Sequence, residues 1–498
     1  MSAIITEKFR QHNADQFVES FSETAASKYY LFLGKASGFT ISTTGGTDSS
    51  PPTPADSVKD EAFAWDSMLG AKLISSSDIQ YSIPRRNWVN GTIYDMYEHD
   101  ISASNTSTSG SSNLYDSTFY FVSSDYRVYK VLDNNAGTAY SGSEPTSTSN
   151  SPFTLGGYIL KYMYTISTSN FAKYGTSDFI PVATDSTVSG AAVDGQIESL
   201  IVTGGSGYTN GTYYAAVYGD GTSQGTSSGA VVRITISGGI IASFGLSAGT
   251  DTTINTAGLA YTFGYVNLGA TFTFSDAALT TASSIGSGSG GAISVVTSPK
   301  GGHGFDAVAE LGGHYVMAAV TLTQAEGDDF TTANDFRSVG LVVDPTDFGT
   351  TTVATATTAR QTYVVRLDTN SGIFDADEVI TQASTGAVGK VVEWDNTLSL
   401  LYYQQESYKG YGTNATTGGY VAFSGTNTIT GGTSGTTGTT SGTSETLTLL
   451  NNNTITLVSG YATPELAADS GNIIYLENRK PIQRASDQTE DIKIIIEF

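Results

Sequence analysis

The last 28 residues, Gly471 to Phe498, read GNIIYLENRKPIQRASDQTEDIKIIIEF, and the reading of the whole chain starts from them. Ile473-Ile474-Tyr475-Leu476 is an apolar run of strand length, Asn478-Arg479-Lys480-Pro481 interrupts it, and Asp491 to Phe498 is a second, β-branched run. A loose Ile-Ile-Ile-Glu-Phe segment would be adhesive, so the pattern predicts a strand that is paired within a sheet and closes a core. Asp487, Glu490 and Asp491 place charges beside that strand, where they oppose aggregation.

The rest of the composition agrees with a turn-rich β protein. The chain has 498 residues, 56 Gly against 11 Pro, 29 Tyr and only 14% charged residues, with 39% apolar residues available for cores. Its length predicts two to four domains at about 100 to 200 residues each. The formal charge of −24, from 47 acidic and 23 basic residues, repels phosphate backbones and anionic membrane surfaces, and no Lys/Arg cluster offsets it. Nucleic acid and membrane are therefore not expected partners. The absence of cysteine excludes disulfides and thiolate metal sites and fits folding in a reducing cytoplasm. Met1 to Arg10 has no apolar run of signal-peptide length, so a soluble, non-secreted protein is expected.

In chain order, residues 12–27 read as a helix, with Asn13 and Gln16 at capping-box spacing and Phe17 and Phe21 one turn apart. Tyr29 to Gly34 reads as a buried strand. Val58, Ala62, Trp65, Met68 and Leu69 recur at helical spacing, with Asp56 as N-cap and Gly70 as stop. Pro84 forces Ile83 toward extended geometry, which makes Ile83-Pro84-Arg85-Arg86-Asn87-Trp88 an extended connector. Two adjacent arginines beside Trp88 are conspicuous in so acidic a chain and could reach two carboxylates on different surfaces, or form only a local salt bridge. Strands are expected at Phe119 to Phe121, Tyr126 to Leu132 and Gly157 to Ile166. Residues 183–299 turn to Gly-rich hairpins, with Ile197 to Val202, Ile241 to Leu246 and Ile293 to Val296 as weak echoes of one another. Gly204-Gly205-Ser206-Gly207-Tyr208 lacks the helix and lysine of a phosphate loop and reads as a turn. In residues 347–460, Tyr363 to Leu367, Val388 to Trp394 and Leu398 to Tyr403 read as strands. The tract from Gly431 to Gly438 reads as a loop or polar β edge.

Three segments resemble one known family. Tyr475 to Ile482 followed by Asp487 to Ile492, Thr6-Glu7-Lys8-Phe9-Arg10, and the Ile83 to Trp88 connector are similar to segments of the baseplate wedge subunit of T-even-type contractile-tailed bacteriophages. The connector departs from that family's pattern only at Asn87, where the family has Asp. The resemblance fails across the two Gly/Ser/Thr-rich regions. It implies a mainly β fold in which an α+β, β-sandwich-like scaffold with a few helices is discontinuous and carries two β insertions. The parts would be scaffold 1–182, insertion 183–299, scaffold 300–346, insertion 347–460 and C-terminal scaffold strands 461–498. It further implies a structural subunit, not an enzyme, in the virion's tail baseplate, assembled in the host cytoplasm and without cofactors. The partners would be other wedge subunits and a second copy of the chain. Arg85, Arg86, Trp88, Arg479 and Lys480 are then the candidate interface residues.

Chemistry must still be weighed beside that reading. His303 and His314, with Asp306 and Glu310 between them, make a metal site conceivable, although Gly-His turns are more often structural. The carboxylate groups Asp375, Asp377, Glu378 and Asp328, Asp329 could serve glycoside hydrolysis or merely strand connections. Tyr408, Tyr411 and Tyr420 among glycines could bind sugars. The alternative function is therefore a glycan-binding or glycan-degrading receptor module at the tail periphery.

Overall fold

The computed structural model describes residues 6–23, 26–39, 46–221, 229–274, 278–323, 334–406, 420–449, 453–483 and 489–498. Asp328, Asp329, Tyr408, Tyr411 and Asp487 lie outside them. The chain forms two compact units, each discontinuous in sequence: residues 1–16, 80–317 and 495–498 make the first, and residues 17–79 and 318–494 the second. Residues 183–299 fall wholly within the first unit and 347–460 wholly within the second. The fold is mainly β with few short helices, as the composition implied.

The first unit contains a four-stranded antiparallel sheet in the order Tyr120–Val122, Arg127–Asp133, Tyr158–Thr165, Phe153–Leu155. Its core is built from aromatic rings, among them Tyr94, Phe119, Phe121, Tyr129, Tyr140 and Tyr158. Tyrosine suits such a core because the ring fills volume while the hydroxyl reaches a carbonyl. The Tyr120 hydroxyl donates to Pro84 O at 2.7 Å, Tyr158 to Thr138 O at 2.8 Å and Tyr140 to Ser143 O at 2.9 Å. A second sheet runs Ile240–Ile241, Val231–Ser237, Gly211–Gly219, Gly264–Val266, Ser289–Val296, Ser199–Ser206. Leu132 and Ile159 of the first sheet share its core with Ile197 and Leu200, and the buried Ser199 hydroxyl donates to Leu132 O at 2.6 Å. Gly204 and Gly205, expected in a turn, lie instead in the Ser199–Ser206 strand. Gly205 takes a φ of +61°, and a Cβ there would sit 2.4 Å from the Gly291 nitrogen of the adjacent strand, so glycine serves close strand approach.

The second unit holds a five-stranded sheet, Thr358–Arg360, Met68–Leu73, Tyr29–Gly34, Phe336–Val343, Asn472–Ile482. The helix Val58–Ser67 buries Phe63, Ala64 and Trp65, and Trp65 shares a core with Tyr30, Phe32 and Val342. Its cap is Ser57, whose hydroxyl accepts from Asp60 N, and it ends before Met68, which starts a strand. The expected cap Asp56 and stop Gly70 were each off by a residue or more. A larger sheet in this unit closes on itself. Leu400–Gln404, Ala387–Asp395, Val379–Gln382, Thr428–Gly431, Thr437–Thr440 and Tyr363–Asn370 pair in turn, and Tyr363–Asn370 pairs back onto Leu400–Gln404. Closure removes the edges that Thr/Gly strands would otherwise expose. Of the tract expected to be a loop or edge, residues 432–436 form the turn between Thr428–Gly431 and Thr437–Thr440, and its two ends lie in those barrel strands. Ile429 and Gly438 point inward, and a Cβ on Gly438 would meet Leu367 Cδ1 at 2.4 Å, which explains the glycine.

The N-terminal helix is Glu7–Glu19 rather than 12–27. Thr6 caps it, its hydroxyl accepting from Phe9 N at 3.3 Å, so Asn13 is interior and the Asn13/Gln16 spacing carries no capping role. The strand Asn472–Ile482 extends past Arg479-Lys480-Pro481, where a break was expected, although its ladder to Phe336–Val343 is interrupted there by a bulge. It is the outer strand of its sheet, and a proline at a sheet edge loses no ladder hydrogen bond. The last strand, Thr489–Glu497, is also an outer strand, beside Tyr315–Thr323. Ile494 and Glu490 are buried in it, and Ile492, Ile495 and Ile496 are half-buried.

Candidate interface and buried charge cluster

The extended connector is built as Pro84 dictates. Ser82, Ile83 and Pro84 pair with Pro181, Ile180 and Phe179, and Arg85 N then donates to Asp178 O at 2.7 Å. Beyond it, Trp88 N donates to Val122 O and Val122 N to Arg86 O, which holds the connector against the aromatic sheet. The Arg85 guanidinium donates to Asn87 Oδ1 at 2.8 Å and Thr176 O at 3.0 Å and lies 5.2 Å from the Phe171 ring centre. Arg86 donates to Tyr115 O at 2.7 Å and stacks 4.4 Å from the Tyr120 ring centre. Among the described residues neither guanidinium meets a carboxylate, and Arg86 Nη1 and Trp88 Nε1 are buried without an acceptor. Trp88 packs edge-on to Tyr140 at 5.9 Å. The other two candidates stand elsewhere, on the outer strand Asn472–Ile482 of the second unit. Arg479 is exposed and 3.7 Å from Glu477, and Lys480 is exposed.

A second cluster, which the sequence reading did not find, lies buried in the first unit. Lys130 and Lys161 sit in mid-strand of Arg127–Asp133 and Tyr158–Thr165, and the side chain of Lys130 is wholly inaccessible. Lys130 Nζ donates to Glu310 Oε2 at 2.8 Å and to His303 Nδ1 at 2.9 Å, and stands 3.9 Å from the Tyr97 ring centre. Lys161 pairs with Glu198 at 3.7 Å. Glu310 Oε1 accepts from Gly304 N at 2.7 Å, so both of its oxygens are engaged. Burial pushes the Lys130 ammonium down against the pull of Glu310, burial raises the Glu198 carboxyl, and burial with two nearby ammonium groups holds His303 well below the usual imidazole range. His303 is thus neutral. Its Nδ1 accepts from Lys130, which leaves the proton on Nε2, buried and, among the described residues, without an acceptor.

The four residues weighed as a metal site have separate roles. Asp306 caps the short helix Ala307–Leu311, accepting from Val308 N and Ala309 N, Glu310 and His303 serve Lys130, and His314 Nδ1 is 3.5 Å from Glu7. Among the described residues no cluster of three His, Asp or Glu side chains is placed to hold a metal.

Residues 3–148 and 450–498 match the family model of bacteriophage T4 Gp8, the baseplate wedge protein. These segments, less than half of the chain, are similar to the Gp8 family. The match supports a structural role in a phage tail baseplate. No curated protein matches the chain. All five candidate interface residues lie inside the Gp8 segments, as does Lys130; its partners Glu310 and His303 lie outside them.

The remaining carboxylates also have structural uses. Glu378 accepts from Thr433 N and Ser434 N at 2.9 Å and from Asp375 N and Ser434 Oγ at 2.8 Å, which binds a turn of the barrel together. Burial raises its carboxyl, and the hydrogen bonds more than offset this and hold it below the usual range. Asp377 pairs with Lys390 at 3.0 Å. Tyr420 donates to Tyr363 Oη and Gln405 Oε1, both at 3.2 Å. The buried lysines did carry a sequence signal: a Lys flanked on both sides of a strand by residues that must be buried, Tyr129-Lys130-Val131 and Leu160-Lys161-Tyr162, has to bring a carboxylate with it.

Proposed function

We propose that the chain is a non-catalytic assembly subunit of the baseplate wedge, binding other wedge subunits through its Gp8 segments and pairing with a second copy of itself. The observation that supports this most is the placement of Arg85, Arg86, Trp88, Arg479 and Lys480, all within the matched segments, and none with a role in a reaction-competent cluster. Guanidinium groups are suited to bidentate pairing with carboxylates of a neighbouring subunit. Residues 183–299 and 347–460 then act as β insertions on a scaffold of 1–182, 300–346 and 461–498, with assembly in the host cytoplasm.

Reconstitution of the wedge from separately purified subunits tests this. The chain should sediment alone at twice its 52.0 kDa and should be taken up into wedges. The Arg85→Ala/Arg86→Ala variant should melt cooperatively as before yet be taken up at least tenfold less. A chain that stays monomeric and outside wedges contradicts the proposal, as does a double variant that assembles normally.

A further inference from the structure

The outer strand Asn472–Ile482 carries features of a docking edge. Its inner side pairs with Phe336–Val343, and among the described residues no strand pairs with its outer side. The pairing is regular only from Tyr475 to Asn478, opposite Leu341 to Ser338, and it is bulged at both ends. At one end the ladder skips from Tyr475 to Ile473, leaving Ile474 as the extra residue, 49% exposed. At the other it skips from Asn478 to Ile482, which turns out Arg479 and Lys480. Bulges re-aim side chains, and here they present an apolar residue at one end and two cations at the other.

The edge is also electrically polar. Residues 473–476 face a groove of about 320 Å³ whose far wall is Pro54, Ala55, Asp56 and Glu61, with both carboxylates exposed. Among the described residues neither Asp56 nor Glu61 has an ion pair, and Val58 beside them is 79% exposed. The acidic groove therefore lies at the Ile474 end and the basic pair at the opposite end, roughly 15 Å away at the rise of an extended strand.

An edge with acid at one end and base at the other is complementary to itself when turned through a two-fold axis. We infer that the second copy named in the proposed function docks here, the two Asn472–Ile482 strands lying antiparallel across a two-fold between Leu476 and Glu477. Residues 473–476 of one copy then face residues 477–480 of the other. Arg479 and Lys480 of each copy meet Asp56 and Glu61 of its mate, and the two Ile474 side chains are covered. Backbone pairing is confined to the regular central stretch, because Pro481 has no N–H and the bulges interrupt the ladder. The ion pairs, twice repeated, fix the register and orientation.

The inference rests on the dimer reading, and charge reversal separates the two. All four residues are exposed, so Arg479→Glu/Lys480→Glu and Asp56→Lys/Glu61→Lys are expected to fold as the natural chain does, which melting curves check. Each variant alone puts like charges in contact at both ends and should sediment as a monomer at concentrations where the natural chain is a dimer. An equimolar mixture of the two restores both contacts and should form a heterodimer with an affinity within about threefold of the natural dimer. Raising salt from 0.05 to 0.5 M should weaken the natural dimer at least tenfold. If both variants dimerise as the natural chain does, the dimer exists and uses another surface, and this inference falls alone. If the variants are monomeric and the mixture stays monomeric, the two-fold pairing is wrong. A natural chain that is monomeric throughout overturns both readings.

Discussion

Two regions of this molecule bury polar groups in contrasting ways. In the aromatic core of the first unit, Lys130 binds Glu310 and His303, 180 and 173 residues further along the chain. In the barrel of the second unit one buried polar group, Glu378, gathers backbone and hydroxyl donors from its own turn and from Thr433 and Ser434. The barrel closes on itself through a ladder of backbone hydrogen bonds, and Glu378 holds one of its turns. The first unit is assembled from distant stretches of sequence, and its ion pairs specify which stretches meet. A buried pair is a poor source of net stability but a strict one, since losing one partner strands the other.

The comparison is broken most directly by Lys130→Met. Removing the ammonium leaves Glu310 charged and buried, so unfolding of the first unit should become easier by about 3 to 5 kcal/mol in denaturant melts. The double variant Lys130→Met/Glu310→Gln should recover at least half of that. Equal losses in the single and double variants would show that the pair does not tie these segments. The local case comes next. Glu378→Ala leaves four donors without their acceptor and should cost about 2 to 3 kcal/mol, seen as faster amide exchange in the barrel strands Val379–Gln382 and Thr428–Gly431. Unchanged exchange there would remove Glu378 from its organising role.

The smallest effect is a pH dependence. Burial raises the Asp133 carboxyl from 3.8 to about 6 despite a hydrogen bond from Asn135 N. Between those values the folded chain holds a proton that the unfolded chain has released, so Asp133 favours folding at low pH, and that contribution is lost as pH rises through about 6. Asp133→Asn should therefore stabilise the first unit above pH 6 by about 1 to 2 kcal/mol and have no effect near pH 4. His303 acts in the opposite sense. Its lowered folded value means that the unfolded chain takes up a proton first as pH falls below about 6.5, so stability is lost on acidification in the natural chain and in the Asp133 variant alike. A variant with the same pH profile as the natural chain would show that Asp133 ionises as freely folded as unfolded.

How much of this was legible in the sequence follows from what each signal depends on. Strands with strong apolar runs, such as Tyr29–Gly34 and Tyr158–Thr165, were readable because burial on both faces leaves a continuous hydrophobic stretch. The Gly431 to Gly438 tract was readable as a loop at residues 432–436, but the strand character of its ends was hidden because Thr and Gly have low apolar content, and only closure of the barrel makes an inward Gly438 useful. The Asn472–Ile482 strand was cut short because Pro481 forbids a central strand, and nothing local says that this strand is an outer one. The helix at Glu7–Glu19 was displaced because the Asn13/Gln16 spacing imitates a cap that Thr6 supplies. Among the candidate interface residues the sequence singled out Arg85 and Arg86, but it could not show that each guanidinium stacks on a ring, Phe171 or Tyr120, brought close by folding. The Lys130 cluster joins residues from three distant segments and is invisible to any local pattern.

The central proposal is that the chain meets its neighbours through the segments that match the Gp8 family model, while residues 149–449 elaborate it. An electron cryo-microscopy reconstruction of the assembled tail baseplate tests that claim most directly. The account predicts that inter-chain contacts include residues 85–88 and 472–482, with Arg479 and Lys480 of one copy against Asp56 and Glu61 of a second. Neighbouring chains that touch only residues 149–449, with 85–88 and 472–482 facing solvent, would contradict it.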